Sequence, residues 1–349
     1  MKCFRKVFSV ILCLVLLFIS AFSVFAISIK SGTAALRKQY KFGEGPETQS
    51  GLSIDYRYYS PVKSKNDKTK YPLMVILTGQ GEHKNEGDQL EMNEFCTWSA
   101  DEYQKRFVSS KGAYILFARA REELLLSWNQ PSLITPLSMA VEDFANKQSN
   151  VDKERIYVYG WSYGGIAALR VAAKRPDMFA GVIAASPPFI MKEESCEKLK
   201  NMAVWMILSK DDTIAPYSTM TYPTWESIRK FSNNKENIRL TTYDDAPNTE
   251  HIINHNSWLE LVRDFDVKKD GYSGRKTIDG NSKEVSLKGG MLSWISKQKL
   301  YTAPEEGKCL HECHIDYIYL NCFWRIRVRF WKMFDVWEKR YCGCGASHW

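Results

Sequence analysis

Gly160-Trp161-Ser162-Tyr163-Gly164-Gly165 has an apolar, β-branched run on one side, Arg155-Ile156-Tyr157-Val158-Tyr159. On the other side lies a helix-favouring stretch, Ile166 to Lys174. That context predicts strand, tight turn and helix, with a serine at the apex. A side chain on so sharp a turn is held in an unusual backbone conformation and projects away from the sheet. The positions two before and two after it must be almost without side chains, or strand and helix collide. Gly160 and Gly164 meet that requirement. Backbone N–H groups at a helix start also point toward whatever the serine attacks, where they can stabilise developing negative charge.

A serine hydroxyl is a poor nucleophile near neutral pH, so it needs a base, and the base needs an acid to fix its tautomer. In chains with this turn, both partners follow the serine, each on a loop after a later strand. The strand Ala203–Leu208 leads into Ser209-Lys210-Asp211-Asp212-Thr213-Ile214-Ala215-Pro216. Asp212 is the expected acid, because Thr-Ile-Ala-Pro after it turns the chain back toward the body. Asp211 is the near alternative, and Asp244 and Asp245 are more distant ones. Of six histidines, His251 and His255 follow the last strand of the main body, and His255 is the expected base. The strand Leu73–Leu77 runs into Thr78-Gly79-Gln80-Gly81-Glu82, where two glycines let the backbone approach a ligand closely. The N–H groups of Gln80 and Tyr163 are the expected oxyanion donors. The chemistry requires no organic cofactor and no metal.

The chain has 349 residues, 44% hydrophobic and 25% charged, enough for one large α/β domain or two ordinary ones. Its start differs from the rest. Met1 to Lys6 is basic, Val7 to Phe22 is almost wholly apolar, and Val24-Phe25-Ala26 carries the modest residues that a signal peptidase reads. Residues 1–26 are therefore expected to be a secretory signal, with an uncleaved anchor as the alternative. Without Lys2, Arg5 and Lys6 the net charge falls from +8 to +5. No basic patch interleaved with stacking aromatics accompanies it in the main body, so nucleic acid is not an expected partner.

Short apolar runs at 73–77, 114–118, 181–185 and 203–208 read as strands buried on both faces. Further strands are expected at 52–59, from Val151 into the serine turn, and at 238–243. Helical spacing is expected at 134–144, 221–231, 258–262 and 291–295. Strands alternating with helices from about residue 70 to 262 predict an α/β domain, a doubly wound, mostly parallel sheet with helices on both faces. Residues 264–286 are polar and read as an insertion loop. The hydrolytic domain is expected over residues 27–300, with a separate tail over 301–349.

Several segments together resemble a known family. They are Tyr56-Arg57-Tyr58-Tyr59-Ser60-Pro61, Tyr71-Pro72-Leu73 leading to Gly79-Gln80-Gly81-Glu82, Gln89-Leu90, and Val151-Asp152-Lys153-Glu154-Arg155-Ile156-Tyr157-Val158 before the serine turn. Asp212 with Pro216, His255 with Trp258, and Trp294-Ile295 complete the set. Over residues 50–298 the chain resembles the secreted α/β-hydrolase esterases related to polyhydroxybutyrate depolymerases and to feruloyl and acetyl-xylan esterases. Some of that group are labelled predicted peptidases. The resemblance implies an α/β-hydrolase fold and a secreted serine esterase acting on a small-molecule or polymeric ester. It implies Ser162 as nucleophile, His255 as base and Asp212 as acid, with Trp128 and Trp161 near the substrate. Two features depart from the family. Thr78-Gly79 stands where His-Gly is usual, and Arg119-Ala120-Arg121 replaces a proline-rich turn.

The tail lies outside the resemblance. It holds Cys309, Cys313, Cys322, Cys342 and Cys344, five of nine cysteines, and exported surroundings favour disulfides there. Phe323 to Phe330 alternates apolar and basic residues like a strand, and the following residues shift toward helical spacing. Such a segment suits contact with an anionic membrane or cell-wall surface, or a small stapled appendage. A zinc site at these cysteines and His314 is a weaker alternative, since the spacings are irregular. Two further readings of the whole remain: a peptidase of the same fold, and a non-catalytic surface-binding protein on a hydrolase scaffold.

Overall fold

The computed structural model describes residues 34–81, 85, 87–90, 92–121, 124–244, 255, 275–286, 289–302, 340–341 and 347–348. The chain divides into two compact units, Met1–Tyr301 and Thr302–Trp349. In the second, β10 (Arg340–Tyr341) pairs antiparallel with β11 (Ser347–His348). The expected signal over residues 1–26, the tail cysteines and the 323–337 segment lie outside the described residues.

The first unit is built on a nine-stranded sheet in the order β1-β2-β4-β3-β5-β6-β7-β8-β9. These strands are β1 Lys41–Glu44, β2 Asp55–Tyr59, β3 Tyr71–Leu77, β4 Tyr114–Ala118, β5 Val151–Trp161, β6 Gly181–Ala185, β7 Ala203–Ser209, β8 Ile238–Tyr243 and β9 Lys276–Asp279. From β4 to β8 every neighbouring pair is parallel, while β1, β2 and β9 run antiparallel to their neighbours. A parallel pair needs a crossover. The helices Ile134–Lys147, Tyr163–Lys174, Glu193–Glu197 and Tyr222–Phe231 lie in the successive connections from β4 to β8.

Each central strand is buried on both faces, which is why it reads as an unbroken apolar run. Alternate residues enter different cores. Ile156 and Val158 of β5 join the helices Ile134–Lys147 and Tyr163–Lys174 in one cluster. Tyr157, Tyr159 and Trp161 join Trp98, Trp205 and the helix Gly290–Ile295 in the other. The expected strands at 114–118, 181–185 and 238–243 have the observed bounds, and the others shift by a few residues. The strand expected from Leu52 begins at Asp55.

Residues 276–279 correct the expectation of an unbroken insertion loop. They form β9, which pairs with β8 and closes that edge of the sheet. Its Thr277 hydroxyl lies 2.7 Å from that of Thr241, and Trp205 Nε1 donates to Thr241 at 2.9 Å. A polar tetrapeptide is stabilised here by a strand partner and a hydroxyl chain, neither of which is a hydrophobic pattern. β1, whose Gly43 and two charged residues concealed it, is the corresponding antiparallel edge strand on the other side. The helix expected at 258–262 lies outside the described residues.

Candidate active site

The six parallel strands end at one edge, and the serine turn stands at the end of the one with parallel neighbours on both sides at the centre, β5. Ser162 has φ 52° and ψ −125°, a left-handed backbone that a side-chain-bearing residue adopts only when its surroundings enforce it. Three contacts do so here. Ser162 N donates to Ala185 O at the end of β6 at 2.9 Å, tying the turn to the next strand. A methyl on Gly160 would lie 2.2 Å from Gly164 O. One on Gly164 would lie 2.1 Å from Leu77 O and 2.5 Å from Thr78 O. The glycines thus let the helix Tyr163–Lys174 back onto β5 and, on its other side, onto the end of β3. The local sequence pattern and the sheet enforce the same bend.

His255 reaches this turn from far along the chain. Its Nε2 is 3.0 Å from Ser162 Oγ, and its Nδ1 is 2.7 Å from Asp212 Oδ2. The histidine and aspartate side chains are almost fully buried, with 4% and 1% of their surface exposed, so water does not compete for the contact. The other carboxylate oxygen of Asp212 accepts the N–H groups of Ile214 at 2.9 Å and Ala215 at 2.8 Å. The turn expected from Thr-Ile-Ala-Pro therefore fixes the carboxylate itself. With one oxygen held by two amides, the other is aimed at the imidazole.

The alternatives separate geometrically. Asp211 accepts the Ser209 hydroxyl at the base of the same loop. Asp244 pairs with Lys210 at 2.6 Å on the surface. Asp245 and His251 lie outside the described residues.

The loop after β3 passes beside Ser162. A methyl on Gly79 would lie 3.5 Å from Ser162 Cβ and 3.2 Å from Trp161 Nε1. Gln80, one expected amide donor, follows this contact at an exposed turn, and Tyr163, the other, opens the helix after Ser162. First-turn amides have no intrahelical acceptor, which suits them to an anion. Thr78 is fully buried beneath the loop.

Trp128 and Trp161 require a correction. They were expected near the substrate, but they are 1% and 0% exposed, each packed in a different core. Trp161 lies under the Gly79 loop and beside Tyr159, with ring centroids 5.7 Å apart. Neither indole offers surface to a ligand. Two features at this edge carried no sequence signal. One is Ser186, a buried non-glycine residue at φ 43° directly after the β6 carbonyl that holds Ser162. The other is Arg170, the eighth residue of the helix Tyr163–Lys174. Its Nη1 donates to Asn129 O at 2.6 Å, and its guanidinium lies 5.4 Å from the Phe189 ring centroid. Burial pulls its pKa below the ordinary arginine value.

Other places offer less. Burial pushes the Cys196 thiol up, away from the thiolate a nucleophile needs. An open hollow of about 600 Å³ is lined by Asp177, Glu197, Lys198, Lys200 and Tyr301 among others. It lies where the chain enters β6 and β7, at the edge opposite Ser162.

The model of the prolyl oligopeptidase family matches residues 138–245, less than half of the chain. The chain is 30% identical over 122 residues to a protein of Nocardia uniformis subsp. tsuyamanensis described as "Putative esterase NocK", a stretch covering 34% of each protein. It thus spans about a third of that relative. The solved structure of a thermostable esterase superposes with a TM-score of 0.55 at 22% identity, over 67% of this chain and 63% of that one. Together with the strand order and the serine turn, that likeness defines an α/β-hydrolase fold.

Proposed function

We propose that the protein is a serine hydrolase that cleaves carboxylic esters through an acyl-enzyme on Ser162. The observation that carries this reading is the contact of His255 with Ser162 Oγ at 3.0 Å and with Asp212 at 2.7 Å. As the Ser162 oxygen attacks the ester carbonyl, its proton passes to His255 Nε2. The amides of Gln80 and Tyr163 hold the oxyanion. His255 then gives the proton to the departing alcohol as the carbon–oxygen bond breaks. Water attacks the acyl-enzyme next, losing a proton to the same nitrogen, and His255 returns it to Ser162 as the acid leaves. Asp212 holds the tautomer and stabilises the imidazolium without itself taking a proton.

The resemblance to exported esterases and the basic-then-apolar start support action outside the cell, on polysaccharide-linked or polyester substrates. The basic, aromatic tail supports contact with a membrane or cell-wall surface there. The match to the prolyl oligopeptidase family model favours a second reading, in which an amide is the scissile bond.

The test is turnover of p-nitrophenyl acetate and of aminoacyl p-nitroanilides by the wild type and by Ser162→Ala. Ester turnover is expected in the wild type, falling by roughly 10⁴-fold or more in the variant. Faster release of nitroaniline than of nitrophenol would favour the peptidase. Equal turnover by both proteins would end both readings.

A further inference from the structure

We infer that the loops after β4, β6 and β7 form an apolar rim that binds a hydrocarbon chain on the scissile ester. This inference rests on the serine-hydrolase reading of the site. Among the described residues, seven large hydrophobic side chains are exposed. Phe42, Val108 and Tyr301 are scattered. The other four sit on loops that leave the carboxyl edge of the sheet: Leu124 and Leu125 after β4, Ile190 after β6 and Ile214 after β7. In the strand order, β4 lies two places to one side of β5, and β6 and β7 lie one and two places to the other. With neighbouring strands about 4.8 Å apart, the outer two loops start about 10 Å to either side of the serine's strand. An extended acyl or alkyl chain of about eight carbons approaches that distance.

The loops are joined to one another. Arg170 donates to Asn129 O on the first and lies over Phe189 on the second. Thr224 Oγ1 bonds Phe189 O at 3.2 Å and accepts Met191 N at 3.1 Å, which ties the second loop to the helix after β7. Ile214 is tied to the site directly, because its amide holds Asp212. Leu125 is 87% exposed and sits at φ 60°, a left-handed backbone that is costly for leucine. Solvated isoleucine and leucine gain nothing from water, and covering them with a hydrocarbon chain is favourable. Arg170 acts as a positioning residue, holding two loops of the rim in register.

The test compares p-nitrophenyl acetate with octanoate, and methyl with octyl acetate, all below micellar concentrations. The proteins are the wild type, Leu125→Ser/Ile190→Ser and a remote control, Val108→Ser. The wild type and the control are expected to prefer the long chain in one of the two series by about tenfold or more in kcat/KM. The double variant is expected to lose most of that preference, through KM more than through kcat. Arg170→Met is expected to erode it in the same way. Equal long-to-short ratios in all proteins, in both series, would overturn the rim while leaving the hydrolase reading intact.

A second measurement does not depend on turnover: calorimetric binding of octanoic acid to Ser162→Ala, with and without the two serine substitutions on the rim. Weaker binding in the triple variant is expected. Equal binding by the two proteins, or none by either, would refute the rim even if Ser162 proved inert.

Discussion

At the scale of single residues, the site depends on backbone as much as on the side chains of Ser162, Asp212 and His255. Asp212 is aimed by two amides, so replacing its charge while keeping its shape should leave the fold and damage the chemistry. Asp212→Asn is expected to keep the wild-type unfolding midpoint in urea and lower kcat by about 10⁴-fold, through loss of the correct histidine tautomer. Gly164 has the opposite role. Its hydrogen faces Leu77 O where a methyl would lie at 2.1 Å, so Gly164→Ala should push the helix Tyr163–Lys174 off β3. A loss of about 3 kcal/mol is expected in urea unfolding, the upper end for overpacking, accompanied by loss of activity. The meeting of Ser162, Asp212 and His255 was legible in the sequence, because a serine turn followed by an aspartate and a histidine, each on a loop after a later strand, leaves few candidates. The two tryptophans were misread. Trp161 alternates with Tyr159 and Tyr157 along β5, so the period of two placed it in the core all along. Trp128 has no such periodicity, and an indole in a loop looks the same in sequence whether it meets core or ligand.

At the scale of elements, the central strands were legible because burial on both faces leaves an unbroken apolar run with clear ends. The edges were not. β1 and β9 have four residues each and contain polar or charged side chains, and their strand character comes from the neighbour they pair with. A different device closes the β2–β4 end of the active edge. Asp55, opening β2, receives Nε of Arg119 at 2.8 Å and its Nη2 at 2.5 Å, with both side chains under a tenth exposed. Arg121 next to it bonds Glu44 at 2.7 Å. Arg119 and Arg121 thus give this end an ionic lock. Asp55→Ala strands a buried guanidinium and is expected to lower stability by about 3–5 kcal/mol in urea unfolding. Asp55→Leu/Arg119→Met should recover much of that loss, because no charge is then left without its counterpart.

At the scale of the whole molecule, charge pairs lie at both ends of the parallel strands. Near the entry to β6, Arg175 binds Asp177 at 2.9 Å and Glu142 at 3.1 Å, and its guanidinium holds the Asp177 carboxyl below the ordinary aspartate value. The Ser53 hydroxyl does the same for Glu44, with Arg121 adding to the effect. A carboxylate whose pKa is lowered by folding stabilises the native state above its unfolded value, near pH 4, and that contribution is lost as pH falls through the lower, folded value. Stability should therefore decline on acidification below about pH 4, and less steeply in Asp177→Asn, as read from urea midpoints at pH 7 and pH 3. The effect is expected to be modest, since both groups are largely solvated. In the proposed mechanism one hydroxyl, that of Ser162, is made reactive by a histidine from a distant loop. Labelling with a fluorophosphonate followed by peptide mapping tests it most directly. A single adduct, on Ser162, is expected to form in the wild type and to be lost in His255→Ala. An adduct on another residue, or labelling of Ser162 undiminished without His255, would contradict it.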